Sequence, residues 1–205
     1  MLPLFIALAI LTVLSILFFI LYPIIRLKSL RNNFLPIYGR GIYKLANKYD
    51  YYLINRLKLK GNDDSLINID HLLLANKYIF VIKDYYFDGK VVGKDEDNSW
   101  VYYYGTQKHP QEKLINNPIH QNEFSLNKLS MITGLDKLML ISIILINDDA
   151  DLELNIKDNE YSYVIKRKDL ENLILNIEGR DVAPLNDEQL AYAVRDIASL
   201  NLNTK

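Results

Sequence analysis

The chain has 205 residues, with 24 Lys and Arg against 25 Asp and Glu, and no cysteine. The lack of cysteine excludes a disulfide scaffold and any thiolate nucleophile or metal ligand, so the chemistry must come from oxygen and nitrogen groups. Charge is unevenly divided: residues 26–60 carry nine basic side chains and one acid, a net of +8, and residues 61–205 carry fifteen against twenty-four, a net of −9.

The first charged side chain is Arg26. Residues 2–25 (LPLFIALAILTVLSILFFILYPII) have only Thr12, Ser15 and Tyr22 as polar interruptions. At about 1.5 Å rise per residue, such a run is long enough to cross a bilayer core of roughly 30 Å as one helix. A cleavable signal peptide would show a basic n-region, a shorter apolar stretch and a small-residue cleavage site, and none of the three is present. Residues 1–25 therefore read as an uncleaved transmembrane anchor. A buried core helix is the weaker alternative, because the run has no polar face. Arg26, Lys28, Arg31, Arg40, Lys44 and Lys48 follow the run, and the positive-inside bias then puts the N-terminus outside and the larger part in the cytoplasm. The juxtamembrane segment 26–37 is expected to draw anionic lipid head groups to Arg26, Lys28 and Arg31, at about 1 kcal/mol per basic residue. Nucleic-acid phosphates would be attracted by the same charges.

The remaining 180 or so residues suit one domain. Gly39 and Gly41 precede Ile42, Leu45 and Ala46 at helical spacing, and Tyr51, Leu53, Asn55, Leu57 and Leu59 then switch to period two, predicting a helix followed by a strand. The apolar runs 66–74 and 78–86 flank Ala75-Asn76-Lys77, a connection whose Asn tolerates positive φ, which predicts a β-hairpin. Asp88-Gly89 marks a turn, Val91-Val92 and residues 100–104 supply short strands, and KDEDNS between them is a solvated loop. Pro118 opens a helical pattern through Phe124, Leu126, Leu129 and Ile132 that ends at Gly134. Residues 137–146 (KLMLISIILI) read as a strand buried on both faces, and 161–165 as another strand. Two helices close the chain: 167–177, and one capped by Asn186 with Gln189 at capping-box spacing, running through Leu190, Val194 and Ile197.

Four features carry a family likeness: Gly41 ahead of the strand YYLINRLKL, Ile69-Asp70-His71 opening LLLANKYIFVI, Gly89 with Trp100 downstream, and Asn116-Asn117-Pro118-Ile119-His120-Gln121. Together they resemble the NERD (nuclease-related) domain family. The resemblance implies a restriction-endonuclease-like α/β fold, a mixed sheet flanked by helices, over residues 38–150. The strand and helices of 151–205 would pack on the same domain.

It also implies a metal-dependent phosphodiester-cleaving site. Such a site uses an Asp on one strand and an E-x-K on the next, where the carboxylates hold magnesium and the Lys positions or activates the attacking water. Asp70 stands at the first position. Where E-x-K would fall, this sequence reads Lys83-Asp84-Tyr85, so a Lys replaces the Glu and a Tyr replaces the Lys. A further Glu expected after the helix glycine is Ile42. What remains is a vestigial site of Asp70, Lys83, Tyr85 and Gln121, with no metal or other cofactor, because an ammonium now stands where the cation should sit. A direct or water-bridged Asp70–Lys83 ion pair is expected, with Lys83 as a built-in substitute for magnesium.

These expectations describe a membrane protein that keeps a nuclease-related fold without catalysis and binds nucleic acid or a protein partner at the cytoplasmic membrane face, with no small-molecule substrate. Two alternatives stand beside it. One is an active magnesium nuclease whose ligands are Asp70 and a relocated Asp84, although Asp84 faces away from Asp70's site unless a bulge rotates the strand. The other is a purely protein-binding module, which the net of −9 beyond residue 60 favours. His71, His109 and His120 lack ligand spacing and read as ordinary surface or hydrogen-bonded residues. The tyrosines at 85–86 and 102–104 read as strand faces, with base stacking as the alternative.

Overall fold

A computed structural model describes residues 11–22, 25, 34–61, 63–106, 109–157 and 159–204. The chain divides into two compact units, residues 1–37 and 38–205. In the first, residues 11–22 are helical and exposed throughout, with Phe18 stacked on Tyr22 at 5.3 Å. Among the described residues no helix is long and apolar enough to cross a membrane. Residues 1–10 and 23–24 of the expected anchor lie outside the described residues, as do Arg26, Lys28 and Arg31.

The elements, in chain order, are α1 (Phe34–Tyr49), β1 (Tyr52–Lys60), β2 (Leu66–Leu74), β3 (Ile79–Tyr85), β4 (Lys90–Lys94), β5 (Ser99–Thr106), β6 (His109–Asn116), α2 (Pro118–Thr133), β7 (Leu140–Ile146), β8 (Asp151–Asn155), β9 (Ser162–Lys166), α3 (Leu170–Glu178) and α4 (Asp187–Leu200). The expected mixed sheet flanked by helices is present, as two mixed sheets. The larger has the order β1-β2-β3-β7-β9 and the smaller β6-β5-β4-β8. In the larger sheet β1, β2 and β3 run antiparallel, and β3, β7 and β9 run parallel. β7 lies between β3 and β9 and is buried at every residue, which explains its unbroken apolar sequence. It starts at Leu140, because residues 137–139 form a 3₁₀ turn capped by Asp136.

One face of the larger sheet is covered by α2 and α4. Leu126, Leu129, Leu190 and Ile197 pack there with Leu57, Leu59, Leu72, Leu74, Ile79, Val81 and Leu140. α1 is amphipathic: Tyr38, Ile42, Leu45 and Ala46 are buried, and Arg40, Tyr43, Lys44 and Asn47 are exposed. α2 begins as its sequence dictates, with the Asn117 side chain accepting the Ile119 N–H and Pro118 at the first turn, and it ends at Gly134, whose φ of 72° suits glycine. α4 starts where expected, with Asn186 Oδ1 accepting the Glu188 N–H at 3.0 Å. The side chain of Gln189 lies outside those described. The β2–β3 turn closes by Ala75 N–H to Tyr78 O at 3.0 Å, and Asn76 does not use positive φ.

The smaller sheet packs Val91 and Trp100 against Ile144, Ile146 and Ile119. Trp100 is fully buried, and its indole N–H donates to Lys94 O at 2.8 Å. Gly93 lies under the indole ring, where a Cβ would come within 2.2 Å of Trp100 Cδ1. Strands β6 and β8 of this sheet are not among the elements predicted from sequence. Nearly every β6 side chain is exposed, and β8 is exposed at alternate residues. β6 carries no apolar pattern that marks a strand in sequence, whereas Leu152 and Leu154 give β8 a period-two alternation over five residues.

Candidate functional site

The site forms where β2 leaves β3. The pairing of the two strands stops at His71–Ile82. Side-chain alternation in β2 also breaks here, because Ile67 and Ile69 share one core with Leu72 and Leu74. Opposite, Arg56 of β1 has φ 54°, a left-handed conformation that turns the strand. Asp70 lies at this break. β3 stays regular along β7, so Lys83 and Tyr85 fall on the face of Val81, toward α2, and Asp84 falls on the opposite face.

The four residues singled out from sequence meet in two pairs. Lys83 Nζ donates to the Asp70 carboxylate at 3.2 Å, with the two side chains 27% and 15% exposed. The Asp84 backbone N–H adds a bond to Asp70 Oδ2 at 3.1 Å. Asp70 is therefore held by one cation and one amide. Tyr85 OH donates to Gln121 Oε1 at 2.7 Å. Burial, and after it the Asp70 charge, pushes the Tyr85 hydroxyl up to about 12, so it stays a neutral donor and fixes the Gln121 amide. Ile42 is 1% exposed and belongs to the core.

Asp84 takes no part in that cleft. Its side chain is fully buried and meets His71 Nε2 at 2.7 Å. His71 Nδ1 donates to Asn55 Oδ1 at 2.6 Å, which leaves Nε2 to share a single proton with the Asp84 carboxyl. Burial raises the Asp84 carboxyl above its ordinary value, and His71 pulls the other way. Asp84 Oδ1 has no hydrogen-bond partner among the described residues. α1 lies against this relay, since a Cβ on Gly39 would sit 3.6 Å from His71 Cε1. From sequence alone His71 reads as an ordinary surface or hydrogen-bonded residue. Its partners come from β1 and β3, and only the strand register brings them together.

Beside Lys83 opens a cleft of about 470 Å³ lined by Asn68, Asn98, Asn116, His120, Gln121 and Phe124, among others. Among the described residues no carboxylate lines it, although acids outnumber bases by nine beyond residue 60. The cleft wall thus offers an ammonium, amides, an imidazole and one half-exposed ring, a set that suits an anion with a planar group.

A magnesium ion does not fit this donor set. It wants several hard oxygen ligands in an octahedron, and Asp70 is the sole carboxylate of the four-residue site, already engaged by an ammonium. Among the described residues no three His, Cys, Asp or Glu side chains are placed to hold a metal.

Residues 40–147 match the family model NERD, nuclease-related domain. No curated protein matches the chain. Among solved structures, the crystal structure of a protein of unknown function, AF1548, is similar over 78% of each chain at 10% identity and a TM-score of 0.31, too low a score to inform the fold.

Proposed function

The chain belongs to the nuclease-related domain family, and from that premise we propose a membrane-anchored member whose metal site is silent and whose cleft binds nucleic acid at the cytoplasmic membrane face. The observation that carries this reading is the Lys83 ammonium on Asp70, in the position where the family pattern implies a metal-binding Glu. A cation covalently attached to β3 neutralises Asp70 without offering water a Lewis acid, so Asp70 is compensated and the hydrolytic step has no metal-bound nucleophile. The carboxylate-free cleft supports nucleic acid as the occupant, with phosphate on the Lys83 side and a base against Phe124. Residues 1–25 supply the anchor in this reading, and Arg26, Lys28 and Arg31 meet anionic head groups. A protein partner is the second reading, favoured by the acid excess beyond residue 60.

The purified protein is expected to bind single-stranded DNA with an affinity that falls as salt rises, and to leave it uncut with magnesium or manganese, at the level of an Asp70→Ala control. Gel-shift and cleavage assays at two salt concentrations check both. Cleavage clearly above that control would overturn the silent site, and salt-insensitive or absent binding would favour the protein partner.

A further inference from the structure

We propose that the outward stripe of α1 is a second membrane contact, one that lies on anionic lipid head groups and sets which side of the folded domain faces the bilayer; the proposal rests on the anchor reading above. Arg40, Tyr43, Lys44, Asn47 and Lys48 recur at helical spacing and are all exposed, opposite the buried stripe of Tyr38, Ile42, Leu45 and Ala46. Three of the five are cations, and none is an acid. Lys48 also reaches Glu171 at 2.7 Å while its side chain stays 61% exposed. Asp50 lies past the helix end. Tyr43 is 57% exposed, and a tyrosine with an apolar ring and a polar tip is a residue type favoured at head-group depth.

Two physical arguments select lipid as the occupant. The first is tether length. Eight residues, 26–33, separate the apolar run from Phe34, and fully extended they reach about 29 Å at most. An anchored chain therefore holds α1 near the bilayer at a high effective concentration. The second is orientation. Residues 26–60 carry a net of +8 and residues 61–205 a net of −9, so an anionic surface attracts the part of the chain that contains α1 and repels the rest.

The test uses the full chain with Tyr43→Trp, reconstituted into nanodiscs of brominated phosphatidylcholine with or without phosphatidylglycerol. Trp100 is fully buried and supplies an unresponsive background. Emission from the new tryptophan is expected to be quenched in the anionic discs, and the quenching to be lost at high salt. In Arg40→Gln/Lys44→Gln discs the docking equilibrium should fall by roughly fivefold for each cation removed. Equal quenching with and without phosphatidylglycerol would overturn the proposal alone, leaving the anchor intact. Emission that responds to added DNA and not to lipid charge would assign the stripe to nucleic acid and also overturn it. Failure of the chain to incorporate into discs of either composition would overturn the anchor reading and this proposal with it.

Discussion

Replacing His71 by leucine is expected to lower the unfolding free energy by about 3–5 kcal/mol, the scale of breaking a buried charged pair from one side. The change strands the buried Asp84 and unpairs Asn55, an exposed residue. Asp84, with its side chain fully buried, loses its one side-chain hydrogen-bond partner among the described residues, and Asn55 Oδ1 loses its donor. Converting both partners, His71→Leu with Asp84→Leu, should recover much of that loss, because no uncompensated charge then remains. Burial also gives Asp84 a signature in pH. Its carboxyl is raised in the folded state, with burial the largest cause, His71 opposing it, the Asp70 charge adding to it and Lys83 subtracting. A carboxyl raised on folding stabilises the fold fully below its unfolded value, near pH 4, and loses that contribution as pH rises through the folded value. The stability of the unaltered protein relative to Asp84→Asn should therefore decline as pH rises from about 4. Urea unfolding across a pH series reads both effects, and a relative stability that grows with pH would show that His71 outweighs burial.

Gly93→Ala is expected to cost about 3 kcal/mol, at the upper end for overpacking a core. The added methyl would lie 2.2 Å from Trp100 Cδ1 and 2.5 Å from Cγ, and the ring has no exposed surface toward which to move. Moving the indole also breaks its bond to Lys94 O and disturbs the packing on Ile144 and Ile146 that joins the two sheets. Shrinking the ring in Gly93→Ala/Trp100→Leu should relieve the clash, so that the double variant costs less than the two single changes added together. Chemical denaturation of the three variants checks this, and strict additivity would mean that the two positions do not press on one another.

The parts of the fold legible in sequence were those with one strong periodicity. α1, the β2–β3 hairpin, α2 between its Asn117 cap and Gly134, and β7 could all be read, because burial of a single stripe or of both faces wrote a pattern into the residues. Strand β6 could not, whereas β8 does carry a period-two alternation in Leu152 and Leu154. β6 is exposed along almost its whole length and contains Pro110, so hydrogen bonding to β5 defines it and hydrophobicity does not. The division into two sheets was invisible for a similar reason, since strand order is a property of register and not of any one segment. At the site, Asp70 and Lys83 could be paired from their positions on one hairpin. The Asn55–His71–Asp84 relay could not, because it depends on which side of Asp70 the β2 backbone turns. Arg56 of β1, opposite this turn, has φ 54°, and an arginine gives no sequence warning of positive φ.

If Lys83 stands in place of a metal ion beside Asp70, manganese binding followed by electron paramagnetic resonance reads it most directly. Lys83→Glu with Tyr85→Lys removes the ammonium from Asp70, supplies a second carboxylate on the same face of β3, and restores a basic residue two positions on. The unaltered protein is expected to leave manganese free in solution, while the double variant binds it and loses that binding on further change of Asp70→Ala. Manganese bound by the unaltered protein, and released on Asp70→Ala, would contradict that role of Lys83.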